Sequence, residues 1–147
     1  MEVRYGMAST HSVLALDYGE KRIGVALASL AARIASPLAF IEVEKNNVID
    51  KINELINEHE ASDLVVGLPR GLNGQETEQT KKVREFVETL SSNVNIPVHL
   101  QDEAGTSLLA EQDLRVSRKK YTKGDIDSMS AALILSDWLN AHDMESN

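Results

Sequence analysis

Three acidic positions in this chain stand where a carboxylate could do chemistry: Asp17, the pair Asp102-Glu103, and Asp127. Asp17 ends a short apolar run at 13–16, the acidic pair follows a second run at 98–100, and Asp127 lies near the start of an apolar helical segment. A carboxylate at the end of a buried strand costs free energy unless it is paired or binds a cation. Three converging carboxylates would repel each other unless hard cations neutralised them, which is the usual design of a Mg²⁺ or Mn²⁺ site.

Each acidic position also has a purely structural explanation. Asp17 could cap a turn ahead of Gly19, and Asp102-Glu103 could form a solvated strand end. Asp127 could offset the dipole of the helix in whose first turns it stands. The acids therefore indicate a metal site only if the fold brings them together.

The apolar periodicity predicts which elements would position these acids. Runs at 13–16 and 23–28 are close enough to pair as an antiparallel hairpin, followed by a third strand at 38–43. Beyond them we expect helices near 45–60, around 83–90, behind Thr106 and from about 125 to 141, with strands at 64–67 and 96–100. The order of elements is βββ-α-β-α-β-α-α.

This order predicts an α/β fold of the RNase H-like type. Its mixed five-stranded sheet has three antiparallel strands and then parallel strands, and helices flank it. We expect the ends of the first and fifth strands to lie side by side, with the last helix beginning above them. Residues 13–141 would form this single domain, preceded by a flexible extension at 1–12 and followed by a tail at 142–147.

Composition limits the classes of protein that the chain can represent. Its 147 residues suffice for one domain with a real core, and it contains no cysteine for a disulfide framework. No apolar run approaches the roughly 20 residues of a membrane span, and the start does not resemble a secretory signal. We therefore expect a cytoplasmic protein that does not contact membranes. The four histidines are scattered, which argues against a zinc site.

A local basic cluster modifies the meaning of the net charge of −8. The overall charge argues against a general nucleic-acid coat, because phosphate binding normally requires a basic surface. Five of the fifteen basic residues nevertheless fall within nine positions, namely Arg115, Arg118, Lys119, Lys120 and Lys123. Such a cluster could guide a phosphate backbone, and it could equally be a solvated loop.

Four motifs together resemble the YqgF/RuvX family, whose members are described as proposed Holliday junction resolvases or pre-16S rRNA nucleases. LDYGEKRIGVA at 16–26 is similar to the first motif, and VVGLP at 65–69 with Asn73-Gly74 to the second. Asp102-Glu103 with Thr106-Ser107 resembles the third, and KGDIDSMSAALIL at 123–135 resembles the closing helix. The motifs follow in the family's order across nearly the whole chain outside the N-terminal extension.

The resemblance implies a metal-dependent nuclease that hydrolyses phosphodiester bonds. The family's metal-binding acids fall on Asp17, Glu103 and Asp127, which would hold Mg²⁺ or Mn²⁺, with two ions expected. Substrate would be bound by basic residues, for which the candidates are Lys21, Arg22, Arg118, Lys119 and Lys120. The substrate implied is structured RNA, in the maturation of the 5′ end of 16S rRNA during ribosome biogenesis.

Two departures from the family and three rival functions remain open. The family commonly has an arginine after the acidic pair, where this chain has Ala104, and an aspartate at Ser29. Cleavage of branched DNA as a Holliday junction resolvase would require a two-fold dimer, so both monomer and homodimer stay open. A catalytically silent nucleic-acid-binding domain is a further alternative. A phosphotransferase of the actin-hexokinase type would need two such domains.

Overall fold

The computed structural model describes residues 11–103 and 122–143. Within these residues the chain forms five strands: β1 Ser12–Asp17, β2 Arg22–Ser29, β3 Ser36–Glu42, β4 Ala61–Pro69 and β5 Val98–Glu103. The same part of the chain contains three α-helices, α1 Val48–Glu58, α2 Glu78–Ser91 and α3 Lys123–Asp143, and a 3-10 turn at Val43–Lys45. The helix predicted behind Thr106 lies outside the described residues.

The strands form one mixed sheet in the order β3-β2-β1-β4-β5. β1, β2 and β3 pair antiparallel, whereas β4 pairs parallel with both β1 and β5. This arrangement confirms the expected α/β class with a mixed five-stranded sheet. The expectation that the ends of β1 and β5 are direct neighbours was wrong, because β4 lies between them.

Two helical layers cover opposite faces of the sheet. Strand side chains alternate between faces, so β1 directs Leu14 and Leu16 to the helices α1 and α2, and it directs Val13 and Ala15 to α3. The α3 layer is dominated by small and branched residues, and Gly67 on β4 leaves room for Ile134: a Cβ added at Gly67 would lie 2.4 Å from its Cδ1 atom. The close packing of α3 against the sheet therefore depends on side-chain size as well as on apolarity.

The largest boundary error concerns β5. The sequence placed it at 96–100, with the acidic pair beyond it, but the strand covers Val98–Glu103 and includes both acids. β4 is also longer than its apolar run, and its pairing with β5 continues to Pro69 opposite Glu103. Backbone hydrogen bonds to an existing neighbour extend a strand whatever its side chains, so apolarity alone underestimates its length.

Candidate active site

Asp17 is the last residue of β1 and lies opposite Gly24 of β2 in the antiparallel pairing. The strand alternation that directs Val13 and Ala15 to α3 places Asp17 on the same face. Burial, and secondarily the negative charge of Asp127, raise the pKa of Asp17 to about 7. The site therefore contains a carboxyl group whose ionised form the protein alone stabilises poorly.

Asp127 approaches this carboxylate from the first turns of α3 and is held by Arg22 at the start of β2. The Nε atom of Arg22 donates a hydrogen bond to Oδ2 of Asp127 at 2.7 Å, and the two side chains are 29% and 23% exposed. This is a charge-assisted bond in a partly desolvated position. The hairpin thus contributes both a carboxylate and a guanidinium to one cluster, which we call the Asp17 cluster: Asp17, Arg22 and Asp127.

Gly24 permits the close contact between β2 and α3. A Cβ added at this position would lie 1.9 Å from the carbonyl oxygen of Asp127, a distance that no real side chain could occupy. The sequence pattern alone did not indicate a role for Gly24. A glycine inside a strand often marks a close backbone approach, and that signal could have identified it.

Glu103 lies at the same end of the strands as Asp17 and on the same face of the sheet, but it belongs to β5, two strands away from β1. Alternation along β5 places His99 and Glu103 on the α3 side, and the ring of His99 lies 5.2 Å from that of Trp138 in α3. β1 and β5 are separated by two strand spacings, roughly 10 Å. Within 11–103 and 122–143, the structure groups no three His, Cys, Asp or Glu side chains that could hold a metal ion. It thus brings Asp17 and Asp127 together but leaves Glu103 apart from them.

The predicted basic residues divide between described and undescribed parts of the chain. Arg22 belongs to the Asp17 cluster, and Lys21 is exposed in the turn beside it. Arg118, Lys119 and Lys120 lie outside the described residues. Arg70, which was not among the predicted basic residues, follows β4 and forms an ion pair with Asp102 near the end of β5.

Comparison with known proteins assigns the family. Residues 11–141 match the family model described as RuvX, Holliday junction resolvase. The chain belongs to the RuvX family. A relative from Sulfurihydrogenibium sp. (strain YO3AOP1), named as a proposed pre-16S rRNA nuclease, is 43% identical over 87% of this chain and 89% of its own. One from Chloroflexus aurantiacus with the same name is 42% identical over 92% and 90%.

A solved structure supports the fold independently of the sequence. T. thermophilus RuvC in complex with a Holliday junction substrate superposes with a TM-score of 0.54, covering 90% of this chain and 96% of that chain at 12% identity. This similarity confirms the RNase H-like fold expected from the order of elements. No helix in the described part of the chain is long and apolar enough to span a membrane.

The departures from the RuvX family pattern lie in different places. Ser29 ends β2 opposite Ser12, at the other end of β1 from Asp17, and its hydroxyl accepts a hydrogen bond from the backbone N–H of Ala32 at 3.0 Å. It therefore caps a turn remote from the Asp17 cluster. Ala104 lies outside the described residues, directly after Glu103.

The Asp17 cluster fits a hard divalent cation on the chemistry of its donors. Asp17 and Asp127 present carboxylate oxygens, the ligands that Mg²⁺ and Mn²⁺ prefer. Arg22 supplies one positive charge and bonds to Asp127, yet the pKa of Asp17 remains raised to about 7. A cation beside Asp17 would offset the cost of keeping that carboxylate ionised.

Proposed function

We propose that this protein is a metal-dependent nuclease that hydrolyses phosphodiester bonds in the 5′ maturation of precursor 16S rRNA. The main supporting observation is the Asp17 cluster, in which two carboxylates and a guanidinium meet beside the carboxyl ends of parallel strands. The names of the relatives from two bacteria support the substrate. We further propose that residues 13–141 form the catalytic domain and that the protein acts in the cytoplasm.

Asp17, Asp127 and Glu103 are the proposed ligands of Mg²⁺ or Mn²⁺, with two ions expected. When bound, such cations supply positive charge against the scissile phosphate and its leaving oxygen. Because Glu103 is roughly two strand spacings from β1, its longer side chain would have to reach toward Asp17 across the end of β4.

The protein's own residues orient the reactants. Arg22 holds the carboxylate of Asp127 in place through a hydrogen bond of 2.7 Å, and in the absence of substrate this also offsets part of the negative charge. Lys21 is exposed in the same turn and can contact a phosphate of the incoming strand. We propose that Arg118, Lys119 and Lys120 extend this basic surface along the nucleic acid.

A second candidate function is Holliday junction resolution, which the description of the family model favours. A resolvase must cut two strands symmetrically, so this role requires a two-fold dimer with two sites. Chemistry at each phosphodiester bond would be the same. The two functions therefore differ in substrate and assembly rather than in the residues that act.

The decisive experiment compares cleavage of a precursor 16S rRNA fragment and a four-way DNA junction in Mn²⁺ by the wild type and by Asp17→Asn. We expect the wild type to cut the RNA and Asp17→Asn to lose activity about a thousandfold, because a carboxylate of the site is removed without a change in size. Asp137→Asn removes the same charge from an exposed position on α3 and is the matched control.

Each outcome distinguishes one function from another. Full activity of Asp17→Asn would refute the proposed mechanism. Symmetric cleavage of the junction by a dimer would replace the RNA function with the resolvase. Binding of either nucleic acid without cleavage, and without any effect of Mn²⁺, would identify a catalytically silent binding domain.

A further inference from the structure

Arg70 joins the loop after β4 to the two acidic residues that end β5. Its backbone N–H donates a hydrogen bond to the carbonyl oxygen of Glu103 at 3.0 Å. Pro69 lies opposite Glu103 in the parallel pairing of β4 and β5, so this bond from Arg70 continues the ladder one residue beyond β4. The main chain of Glu103 is therefore fixed by Arg70.

The side chain of Arg70 holds the neighbouring acid. Its Nε and Nη2 atoms both lie 3.3 Å from Oδ1 of Asp102. Its Nη1 atom lies 3.5 Å from Oε2 of Glu76, and the same Glu76 oxygen accepts a hydrogen bond of 2.7 Å from Arg84 in α2. These four charges connect the end of β5 to helix α2 through the loop.

Asp102 and Glu103 are adjacent in β5, so their side chains lie on opposite faces of the sheet. Val98 packs with the α1 and α2 layer, so Asp102 projects to that face and Glu103 to the α3 face, where Asp17 lies. Arg70 bonds to the side chain of Asp102 and to the backbone of Glu103. These two contacts restrict the position of the β5 end and therefore the directions in which the Glu103 side chain can extend. We propose that Arg70 is a positioning residue for Glu103. This inference rests on the nuclease function proposed above.

Arg70 is better placed to orient than to touch substrate. Its side chain is 24% exposed and already lies between two carboxylates, Asp102 and Glu76. It also bonds to Asp102 on the face of β5 that is turned away from the Asp17 cluster.

The test measures kcat, KM and the Kd of Mn²⁺ by electron paramagnetic resonance for Arg70→Ala, Arg70→Lys and Asp102→Asn. Lys51→Ala removes one charge from an exposed ion pair on α1 and is the control. We expect Arg70→Ala to lower kcat and weaken Mn²⁺ binding by about ten- to a hundredfold, with KM changed less than about twofold. Arg70→Lys should recover part of both losses, because it keeps the charge but not the planar two-point contact.

A rise in KM at constant kcat would overturn the inference in favour of direct contact with substrate. Mn²⁺ affinity and kcat equal to those of Lys51→Ala would show a solvated ion pair without a positioning role. If Arg70→Ala fails to fold, Arg70→Lys and Asp102→Asn give the same comparison with smaller changes. Asp17→Asn, assayed in parallel, separates the two proposals: if it stays active, the nuclease mechanism fails, whereas loss in Asp17→Asn alone refutes only the role of Arg70.

Discussion

Asp17 and Glu20 are two carboxylates of the same hairpin, three residues apart, and the protein treats them in opposite ways. Asp17 is partly buried on the α3 face, where burial and then the charge of Asp127 raise its pKa to about 7. Glu20 is exposed, and its Oε2 atom accepts a hydrogen bond of 2.8 Å from Lys82 in α2. That hydrogen bond, with the charge of Lys82, lowers the pKa of Glu20 below its usual value.

The difference shows that the surroundings of a carboxyl group, and not its residue type, determine whether its pKa is raised or lowered. Glu20 has water and a cation from the protein, so its charge is already neutralised. Asp17 is largely removed from water and lies near the charge of Asp127, whereas the guanidinium of Arg22 donates its hydrogen bond to Asp127. A carboxylate at the end of a strand whose negative charge the protein does not compensate is a suitable ligand for a cation.

The largest effect expected from this contrast is a loss of stability with rising pH in the absence of divalent cations. The folded-state pKa of Asp17, about 7, exceeds its unfolded value of 3.8, so the folded protein retains a proton that the unfolded chain releases. This contribution is complete below about pH 4 and is lost as pH rises through 7. The difference between the two pKa values corresponds to about 4 kcal/mol. Urea unfolding in EDTA at pH 5 and pH 8 measures about 3 kcal/mol of it, because the unfolded chain already releases this proton above pH 3.8.

Asp17→Asn provides the comparison, because an amide does not titrate. The variant should unfold at higher urea than the wild type at pH 8, and the advantage should shrink toward pH 4. Adding Mn²⁺ at pH 8 should stabilise the wild type but not the variant. Parallel pH profiles of the two proteins would show that Asp17 titrates normally and that the contrast with Glu20 does not exist.

The sequence predicted much of the framework around these two carboxylates. The apolar runs at 13–16 and 23–28 predicted the hairpin, and the structure pairs Asp17 with Gly24 within it. Periodicity could not reveal which strands are neighbours, because that depends on how the crossover helices pack. The insertion of β4 between β1 and β5, which separates Asp17 from Glu103, was therefore missed.

A smaller effect is expected where the backbone of α3 meets β2. Gly24→Ala would place a methyl group 1.9 Å from the carbonyl oxygen of Asp127, and the main chain there cannot rotate away. The helix start must move, which separates Asp127 from both Arg22 and Asp17. We expect a loss of about 1–3 kcal/mol in unfolding free energy together with reduced cleavage.

Gly124→Ala is the matched control for this change. Its added Cβ would lie 2.3 Å from the ring of Phe40, which is 40% exposed and can turn outward. Both variants add one methyl group near the start of α3, but only Gly24→Ala meets rigid backbone. Equal losses from the two substitutions would show that crowding in general, and not the placement of Asp127, determines the effect.

Contacts of this kind mark the limit of prediction from sequence. The sequence indicated that Arg22 and Asp127 both have candidate roles, but a hydrogen bond between residues 105 positions apart depends on the docking of α3. The same holds for Arg70, whose partner Asp102 is 32 positions away. Local patterns determine which residues share a face of an element, whereas the pairing of elements decides which charges meet.

The smallest expected effect concerns Glu20, the hairpin carboxylate that already has a cation, Lys82, as its hydrogen-bond partner. Lys82→Met removes its hydrogen-bond donor while keeping most of the side chain, so the pKa of Glu20 should rise toward its ordinary value of 4.5. A carboxyl whose folded pKa is lowered adds stability above its unfolded pKa and loses it as pH falls through the folded pKa. The wild type should therefore be slightly more stable than the variant at pH 7, and the two proteins should converge as pH falls into the acid range. Carboxyl carbon NMR titration of Glu20 in both proteins measures the change directly, and Asp17 in the same spectra should keep its raised pKa. A parallel rise in the pKa of Asp17 would mean that Lys82 acts on both carboxylates of the hairpin, which would contradict the contrast between them.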